Sequence, residues 1–309
     1  MIAPQSGWPV GFIGLGVMGR PIALRLARAG IPLRVWNRSA AASADLAAAG
    51  ARVAESPQEV LRSARITFVM LRDERVVDDL LHPQAAAFPW LAAGSTIVNL
   101  GTVSPEYSRL LGVRVREAGG CFVEAPVSGS RIPAEQGQLV AMVAGEPAAV
   151  AEVTPLLAPA CARIVECGEV PSATTMKLAA NTFLIATVTG LAEAFHIGRH
   201  RGVDLEVLRQ VLDASQMASP ISRIKAEKLL GDDLTPQAAI RDVLMNADLI
   251  VEDARRTGAA SPLLDVCRDL YRDAVARGDG DADMIAVIGA IGDRGRGSAD
   301  VAAAKGTAA

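Results

Sequence analysis

Lys177, whose side chain can transfer a proton, and Asn181, whose amide can form hydrogen bonds, lie four residues apart in the sequence. The segment that holds them, residues 174–200, is apolar on nearly all sides and is predicted to form one long helix. On such a helix a spacing of four brings both side chains to one face. A lysine there is paired, reaches solvent along its aliphatic stem, or takes part in function. If burial lowers its pKa, its ammonium can protonate a developing alkoxide, which an arginine cannot do at any useful pH.

The scarcity of lysine makes Lys177 more informative. Of the 31 basic residues only four are lysines, at positions 177, 225, 228 and 305, so the first 176 residues contain none. A chain that prefers arginine so strongly has little need of lysine for charge alone. We therefore interpret Lys177 as a candidate for a role that requires a proton donor with an adjustable pKa.

A glycine-rich motif lies near the beginning of the chain, with the sequence Gly14-Leu15-Gly16-Val17-Met18-Gly19. It ends the predicted strand 9–15 and precedes the predicted helix 21–29. In this context the pattern GxGxxG is typical of a turn that binds the pyrophosphate of a dinucleotide at a helix N-terminus. An ordinary glycine-containing turn is the structural alternative.

The residues after the second predicted strand, 33–36, bear on the choice of cofactor. They are Asn37-Arg38-Ser39. An acidic residue here would bind the ribose hydroxyls of NAD, whereas a neutral amide, a cation and a hydroxyl suit the 2′-phosphate of NADP. The sequence therefore favours NADP(H) over NAD(H), with a solvated loop arginine as the alternative for Arg38. We also assign Leu71, at the end of the predicted strand 66–71, to the cofactor-binding set.

A polar turn over residues 124–130, with the sequence Glu-Ala-Pro-Val-Ser-Gly-Ser, closes another predicted strand. Its backbone N–H groups, together with the hydroxyls of Ser128 and Ser130, could hold a carboxylate or a carbonyl oxygen. A purely structural turn is equally compatible with these residues.

The predicted elements divide the chain into two parts. Apolar runs at 66–71 and 96–100 indicate strands buried on both faces, and further strands predicted at 121–123 and 139–144 alternate with helices, as in βαβ units. After about residue 170 the pattern is helical, with segments predicted at 174–200, 204–213, 220–230, 236–257, 261–276 and 282–290. We therefore expect an α/β Rossmann domain with a doubly wound, mostly parallel sheet over residues 8–170. An all-α domain that begins with a long interdomain helix is expected over 171–294, and a flexible tail over 295–309.

Composition excludes several classes of function. The 309 residues carry a net charge of −3, which gives no basic field for nucleic acid or an anionic membrane. The apolar segment 178–195 contains five polar residues that a membrane span would not favour, and the N-terminus lacks the pattern of a signal peptide, so we expect a cytoplasmic protein. Four cysteines without paired spacing and three scattered histidines predict neither a disulfide framework nor a metal site.

Taken in order along the chain, these motifs resemble the β-hydroxyacid dehydrogenase family. The resemblance spans residues 9–292 and rests on Gly11 to Gly19, on Glu124 to Ser130 with Pro133, Ala134 and Gly137, and on Met176-Lys177-Leu178 with Asn181. The cofactor end at 37–39, the Ser-Gly-Ser turn and Gly168-Glu169-Val170 are most similar to the NADPH-dependent glyoxylate/succinic semialdehyde reductase branch.

The resemblance implies an NADPH-dependent oxidoreductase that reduces a small aldehyde acid to the hydroxy acid. It implies that Lys177 is the general acid and that Asn181 helps to position it. It also assigns the binding of a small carboxylate substrate to Ser128, Gly129 and Ser130, and places Thr102 near both nicotinamide and substrate. Arg241 stands where the family has an active-site lysine, and we include it among the substrate-binding residues.

The chain departs from the family pattern at several other positions. Pro171 and Ala173 replace usual glycines, so we expect the loop before the long helix to be shaped differently. Asn99 and Gly101 stand where an aspartate and a serine are common. These departures leave the substrate open.

Two other functions remain open. One is an imine reductase with a similar fold, and the other is a non-catalytic NADP-binding protein. Relatives of both kinds usually lack the lysine, so Lys177 argues against both. The apolar first helix of the second domain also predicts a homodimer, with a tetramer as the alternative.

Overall fold

The computed structural model describes residues 9–85 and 88–295. Of the tail predicted at 295–309, residue 295 belongs to a helix and residues 296–309 lie outside the described residues. The chain divides into two compact units between Lys177 and Leu178, which is a point inside a helix. The strands of the first unit are β1 (Val10–Ile13), β2 (Leu33–Trp36), β3 (Arg52–Val53), β4 (Ile66–Val69), β5 (Thr96–Asn99), β6 (Cys121–Glu124), β7 (Val127–Ser128), β8 (Leu139–Gly145) and β9 (Cys161–Gly168). Its helices are α1 (Gly19–Arg28), α2 (Ala44–Ala48), α3 (Pro57–Ser63), α4 (Glu74–Leu81), α5 (Phe88–Ala92), α6 (Pro105–Glu117), α7 (Arg131–Gln136) and α8 (Pro147–Leu157), with a 3-10 turn at Ala40–Ser43.

The nine strands form one sheet in the order β3-β2-β1-β4-β5-β6-β8-β7, and β9 pairs with β8. The strands from β3 to β6 are parallel, whereas β8 runs antiparallel to β6 and β7 and parallel to β9. The prediction of a doubly wound, mostly parallel sheet is therefore confirmed. The register pairs Ile13 with Val69, Val69 with Asn99, and Asn99 with Glu124, so the carboxyl ends of β1, β4, β5 and β6 form one edge. In sheets of this kind, ligands bind at that edge.

Three strands have no counterpart in the prediction. Both β3 and β7 contain only two residues, too few for an apolar run to be recognised. The eight-residue β9 has no side chain that is fully buried, so its sequence lacks the apolar run that marked the central strands.

The second unit is helical, as predicted. After α9 (Ser172–His200), which begins in the first unit, it contains α10 (Leu205–Ala214), α11 (Pro220–Leu230), α12 (Ile240–Thr257), α13 (Pro262–Ala276), 3-10 turns at Asp279–Asp281 and Met284–Ala286, and a helix, α14, over 287–295. Within its described residues the only β pairing is an isolated bridge between Ala239 and Asp283. The start of α12 at Ile240 lies four residues after the predicted start at 236, because the chain stays irregular from 233 to 238 and reaches the bridge at Ala239 before the helix begins.

The long helix α9 is buried on one face and exposed on the other. Ile185, Val188 and Phe195 lie in the core of the second unit. Phe183 and Ile197, by contrast, are 77% and 56% exposed. The helix is long and apolar enough to span a membrane by length and composition alone, but its buried face belongs to the core of a helical unit. Packing within this chain therefore explains the apolar residues on one face of α9 but not those on the exposed face.

Candidate active site

The glycine-rich motif forms the tight turn between β1 and α1. Gly14 has φ +96°, and a Cβ there would lie 2.2 Å from the carbonyl oxygen of Met70. A Cβ on Gly19 would lie 2.0 Å from the carbonyl oxygen of Gly14, whereas the position of a Cβ on Gly16 is open. The first and third glycines are therefore required for packing, and the second leaves the backbone open to a ligand.

The N-terminus of α1 is suited to an anion. Its cap residue, Met18, makes no side-chain cap hydrogen bond, and the first turn contains no acidic residue. The buried side chain of Leu15 holds the turn in place, whereas Gly16 and Val17 are exposed. The backbone of the turn is therefore accessible to a ligand at these two residues. These residues fit the pyrophosphate of a dinucleotide, which binds to backbone N–H groups and the positive end of the helix dipole.

Asn37 connects the glycine turn to the residues after β2. Its Oδ1 accepts a hydrogen bond from the backbone N–H of Leu15 (2.8 Å), and its Nδ2 donates to the carbonyl oxygen of Ser39 (3.1 Å). Asn37 thus holds two parts of the predicted cofactor site together, a structural role that its position in the sequence did not indicate.

Arg38 and Ser39 are exposed beside Asn37. Within the described residues, the guanidinium of Arg38 has no hydrogen bond or ion pair, and Ser39 makes no side-chain cap to the following turn. A cation and a hydroxyl are therefore available at the end of β2, and neither Asn37, Arg38 nor Ser39 carries negative charge.

The residues after β4 and β5 lie against each other at the same sheet edge. A Cβ on Gly101 would lie 2.7 Å from the carbonyl oxygen of Leu71, and Leu71 in turn packs near Gly14. The buried amide of Asn99 bonds to both the N–H (3.2 Å) and the carbonyl oxygen (3.3 Å) of Gly101. The two departures from the family pattern are therefore linked in the structure. Asn99 binds the backbone of Gly101, and the nearby carbonyl of Leu71 leaves no room for a serine side chain at position 101. Thr102 follows directly and is partly buried.

The predicted substrate turn follows β6. Ser128 ends β7, Gly129 has φ +128°, and Ser130 precedes α7 without a side-chain cap bond. Both serine hydroxyls lack hydrogen-bond partners in the described part of the chain. Two hydroxyls on either side of a glycine are thus available to a small polar ligand.

Glu124 anchors the first turn of α9. Its carboxylate is fully buried and accepts hydrogen bonds from the Ser108 and Thr174 hydroxyls (both 2.5 Å) and from the N–H groups of Ala173 (3.0 Å) and Thr174 (3.4 Å). Burial raises the pKa of Glu124, and these four bonds oppose the rise. Since a carboxylate stabilises a helix N-terminus, the strand that ends in the substrate turn is tied to the helix turn that precedes Lys177.

This anchor also explains the two replaced glycines. Ala173 lies inside α9 with its N–H bonded to Glu124, so a left-handed conformation is not needed there. Pro171 follows a cis peptide bond directly before the helix. The loop enters α9 without a glycine, and its difference in shape from the family pattern stays a prediction.

Lys177 is 7% exposed, on the second turn of α9. In the described part of the chain its ammonium has neither a hydrogen-bond partner nor a counter-ion. Burial therefore lowers the pKa of Lys177 to about 8. A proton donor poised near neutrality is the arrangement that general acid catalysis requires.

Lys225 and Lys228 are buried as well, and they change what the scarcity of lysine means. Lys225 binds both carboxylate oxygens of Asp283 (2.7 and 2.9 Å), and Lys228 binds the Asp233 carboxylate (2.7 Å) and the Thr235 carbonyl (2.8 Å). All three lysines in the described part of the chain are therefore buried, and the scarcity of lysine alone does not distinguish Lys177. The unpaired ammonium of Lys177 does distinguish it from the other two.

Asn181, one turn after Lys177 on α9, is 6% exposed. Its Nδ2 donates to Oδ1 of Asn246 on α12 (3.0 Å), and Nδ2 of Asn246 donates to the carbonyl oxygen of Asp242 (2.6 Å). Sequence reasoning missed Asn246, because a single asparagine inside a helix has no motif around it.

Arg241 lies on α12 but is occupied by other partners. Its guanidinium pairs with Asp281 (2.6 Å) and donates to the carbonyl oxygen of Gly280 (3.3 Å). Its predicted contact with substrate stays a prediction.

The cysteines and potential metal ligands add no second site. No group of three or more His, Cys, Asp or Glu side chains able to hold a metal occurs within the described ranges. All four cysteines are free thiols, and burial raises the pKa of each, that of Cys161 to about 11.

Comparison with known proteins agrees with this arrangement. The family model for the NAD binding domain of 6-phosphogluconate dehydrogenase matches residues 9–168, and that for the NAD-binding domain of NADP-dependent 3-hydroxyisobutyrate dehydrogenase matches 172–291. Glyoxylate/succinic semialdehyde reductase 2, chloroplastic, of Arabidopsis thaliana is 29% identical over 282 residues, which cover 91% of this chain and 79% of that protein. The 2-hydroxy-3-oxopropionate reductase of Escherichia coli (strain K12) is 29% identical over 91% of this chain and 96% of its own. The solved structure of Psf3 in complex with NADP+ and 2-OPP has a TM-score of 0.82 at 26% identity and covers 91% of this chain and 99% of that one.

Fold, glycine turn and family models together define an NAD(P)-dependent oxidoreductase that acts on CH–OH groups, a hydroxyacid dehydrogenase or reductase. The chain belongs to the β-hydroxyacid dehydrogenase family. The predictions of this family, of its fold and of NAD(P) as cofactor are confirmed. The preference for NADP, the substrate and the roles of individual residues stay predictions.

Proposed function

We propose that this protein is an NADPH-dependent reductase that converts a small aldehyde acid, of the glyoxylate or succinic semialdehyde type, into the hydroxy acid. The observation that carries the proposal is the buried ammonium of Lys177, which has no partner among the described residues and whose pKa lies at about 8. A reductase must protonate an alkoxide as it forms, and a lysine in this state can release its proton near neutral pH.

The chain's own residues account for the proton and the substrate carboxylate. NADPH, when bound, supplies the hydride that forms the new C–H bond at the carbonyl carbon. The π electrons of the carbonyl move to its oxygen, which takes a proton from Nζ of Lys177 to form the hydroxyl. Lys177 is left as a neutral amine and regains a proton from solvent. The hydroxyls of Ser128 and Ser130, which lack partners in the described part of the chain, bind the substrate carboxylate.

The preference for NADPH rests on the residues after β2. The 2′-phosphate of NADPH carries negative charge, which the exposed guanidinium of Arg38 attracts and which a carboxylate would repel. The match to Psf3, whose structure contains NADP+, supports the same choice.

The decisive experiment measures NADPH oxidation with glyoxylate, succinic semialdehyde, methylmalonate semialdehyde and tartronate semialdehyde, repeated with NADH. We expect turnover with at least one aldehyde acid and a higher kcat/KM with NADPH, and no carbonyl reduction by the Lys177→Arg variant, whose guanidinium keeps its proton. Turnover of cyclic imines without that of aldehydes would instead indicate an imine reductase. Tight NADPH binding without turnover on either class would indicate a non-catalytic protein.

We further propose that the protein is a cytoplasmic homodimer that uses the exposed face of α9. Met176, Phe183 and Ile197 are separated by seven and fourteen residues and are 51%, 77% and 56% exposed, so they form an apolar stripe along the helix. Light scattering should give twice the chain mass, and Phe183→Glu should give the monomer. Leu263→Glu, at an apolar position on α13 that is 60% exposed, is the control and should leave the dimer intact. A monomeric wild type would contradict the proposal.

A further inference from the structure

The amide of Asn246 has only one orientation open to it. Its Nδ2 lies 2.6 Å from the carbonyl oxygen of Asp242, one turn earlier on α12. A backbone carbonyl can only accept, so the Asn246 end that faces it must be the NH2 group. Oδ1 of Asn246 therefore points to its other partner, Asn181.

This orientation is passed on to Asn181. Because Oδ1 of Asn246 is an acceptor, the Asn181 atom that lies 3.0 Å from it must be Nδ2. Oδ1 of Asn181 is then the end of the amide that remains for another partner, and it has none within the described residues. The backbone of α12 thus decides that the acceptor Oδ1 is the end of the Asn181 amide that points away from Asn246.

An acceptor at this position suits Lys177. Helix geometry places Lys177 and Asn181 on one face of α9, one turn apart. A carbonyl oxygen stabilises and orients an ammonium, whereas an NH2 group in its place would repel one. We propose that Asn246 is a positioning residue that fixes the amide of Asn181, so that its acceptor Oδ1, which makes no bond within the described residues, is the end available to the ammonium of Lys177. The catalytic part of this inference rests on the proposed role of Lys177 as proton donor.

The variants that test it differ in what Asn246 can offer. Asn246→Leu keeps the approximate volume but removes both hydrogen bonds. Asn246→Asp keeps an acceptor for Asn181, loses the donor to Asp242 and adds a negative charge, which would raise rather than lower the pKa of Lys177. Met245→Leu, at the preceding position of α12, is the matched control.

One readout is independent of turnover. With only four lysines in the chain, the side-chain carbon signals of labelled lysine can be assigned by single Lys→Arg substitutions and titrated by NMR without cofactor. We expect Asn246→Leu to lower the pKa of Lys177 below its wild-type value, because Asn181 becomes free to present its NH2 group. Asn246→Asp and Met245→Leu should not lower it. An unchanged titration of Lys177 in a folded Asn246→Leu protein would overturn the inference.

The second readout is a double-mutant cycle on kcat. We expect Asn246→Leu to lower kcat by about tenfold with little change in KM, and to add nothing in an Asn181→Ala background, since Asn246 acts only through Asn181. Losses that multiply would show that Asn246 acts by another route and would overturn the inference. Should wild type reduce no aldehyde acid, the proposed function fails, while the NMR titration still tests the amide pair. If Asn246→Leu does not fold, Asn246→Ala takes its place in both measurements.

Discussion

The side-chain oxygen of Asn37 and the backbone N–H of Leu15 are joined by a 2.8 Å hydrogen bond that spans 22 residues of chain. It connects the glycine-rich turn with the residues after β2, which are the two parts of the proposed cofactor site. One side chain therefore determines the spacing between two parts of the cofactor site.

Substitution of Asn37 should distinguish this connection from direct recognition of the 2′-phosphate. Asn37→Leu removes the acceptor for the Leu15 N–H, so we expect the Kd of NADPH and NADH to rise alike, by about 5- to 10-fold. Asn37→Asp keeps the acceptor but adds a charge, and should weaken NADPH alone. Fluorescence titration with both cofactors measures this. Selective loss of NADPH in Asn37→Leu would mean that Asn37 binds the phosphate itself.

Arg38 should account for cofactor preference. Without its guanidinium the 2′-phosphate loses a charge-assisted partner, and we expect Arg38→Ala to lower kcat/KM for NADPH by about 10- to 100-fold while that for NADH stays within about twofold. Arg163→Ala, an exposed arginine on β9 at the other side of the sheet, is the control. Equal losses with both cofactors would contradict the assignment.

The pH dependence of turnover should follow Lys177. The ammonium is the reactive form in reduction, so kcat for aldehyde reduction should fall as the pH rises through about 8, the pKa of Lys177. Oxidation of the hydroxy acid needs the neutral amine and should rise over the same range. Steady-state rates in both directions between pH 6 and about 10 test this sign. A reduction rate that is flat across that range would remove Lys177 from the proton-transfer step.

Burial of the same ammonium should destabilise the folded protein. The pKa of Lys177 is about 8 when folded, against about 10.4 for a solvated lysine, so below pH 8 the charged group lowers the free energy of unfolding. This penalty declines as the pH rises from about 8 to 10.4. We expect Lys177→Met to raise the free energy of unfolding by about 1–3 kcal/mol at pH 7, and less at higher pH. Urea unfolding with Leu178→Met as control measures it, and a destabilised Lys177→Met protein would contradict the prediction.

The buried ion pair of Lys225 and Asp283 should matter more than any exposed pair. Asp283 is fully buried and also accepts N–H bonds from Gln237 (2.9 Å) and Ile285 (3.2 Å). Asp283→Asn leaves the Lys225 ammonium buried without a counter-ion, which costs about 3–5 kcal/mol. Glu135→Gln, which breaks the exposed pair with Arg131, should cost less than about 1 kcal/mol. Equal losses on urea unfolding would show that burial does not control the energetics of these pairs.

The elements that the sequence predicted correctly are those with strong local patterns. The run 66–71 became β4 because an uninterrupted apolar stretch fits a strand covered on both faces. The glycine motif was recognisable because Gly14 and Gly19 are required by the close packing of the backbone and Gly16 leaves the turn open. Such features depend on neighbours in sequence and can be read without a fold.

The features that the sequence could not predict depend on distant contacts. Glu124 stands in a recognised motif, but its bond to Ala173 joins residues 49 positions apart. The pairing of Asn181 with Asn246 spans 65 positions, and neither residue type indicates its partner. The roles of Lys225 and Lys228 were equally hidden, since a buried lysine is recognised only when its carboxylate is located.

The burial of the three described lysines has a practical consequence for chemical labelling. In the described ranges no primary amine is exposed, because Lys177, Lys225 and Lys228 are all buried and the remaining basic side chains are arginine or histidine. Lys225 and Lys228 are held by carboxylates, whereas Lys177 is unpaired and has the lowered pKa that favours a nucleophilic amine. A small amine-directed acylating reagent should therefore modify one site in this part of the protein, and bound cofactor should protect it.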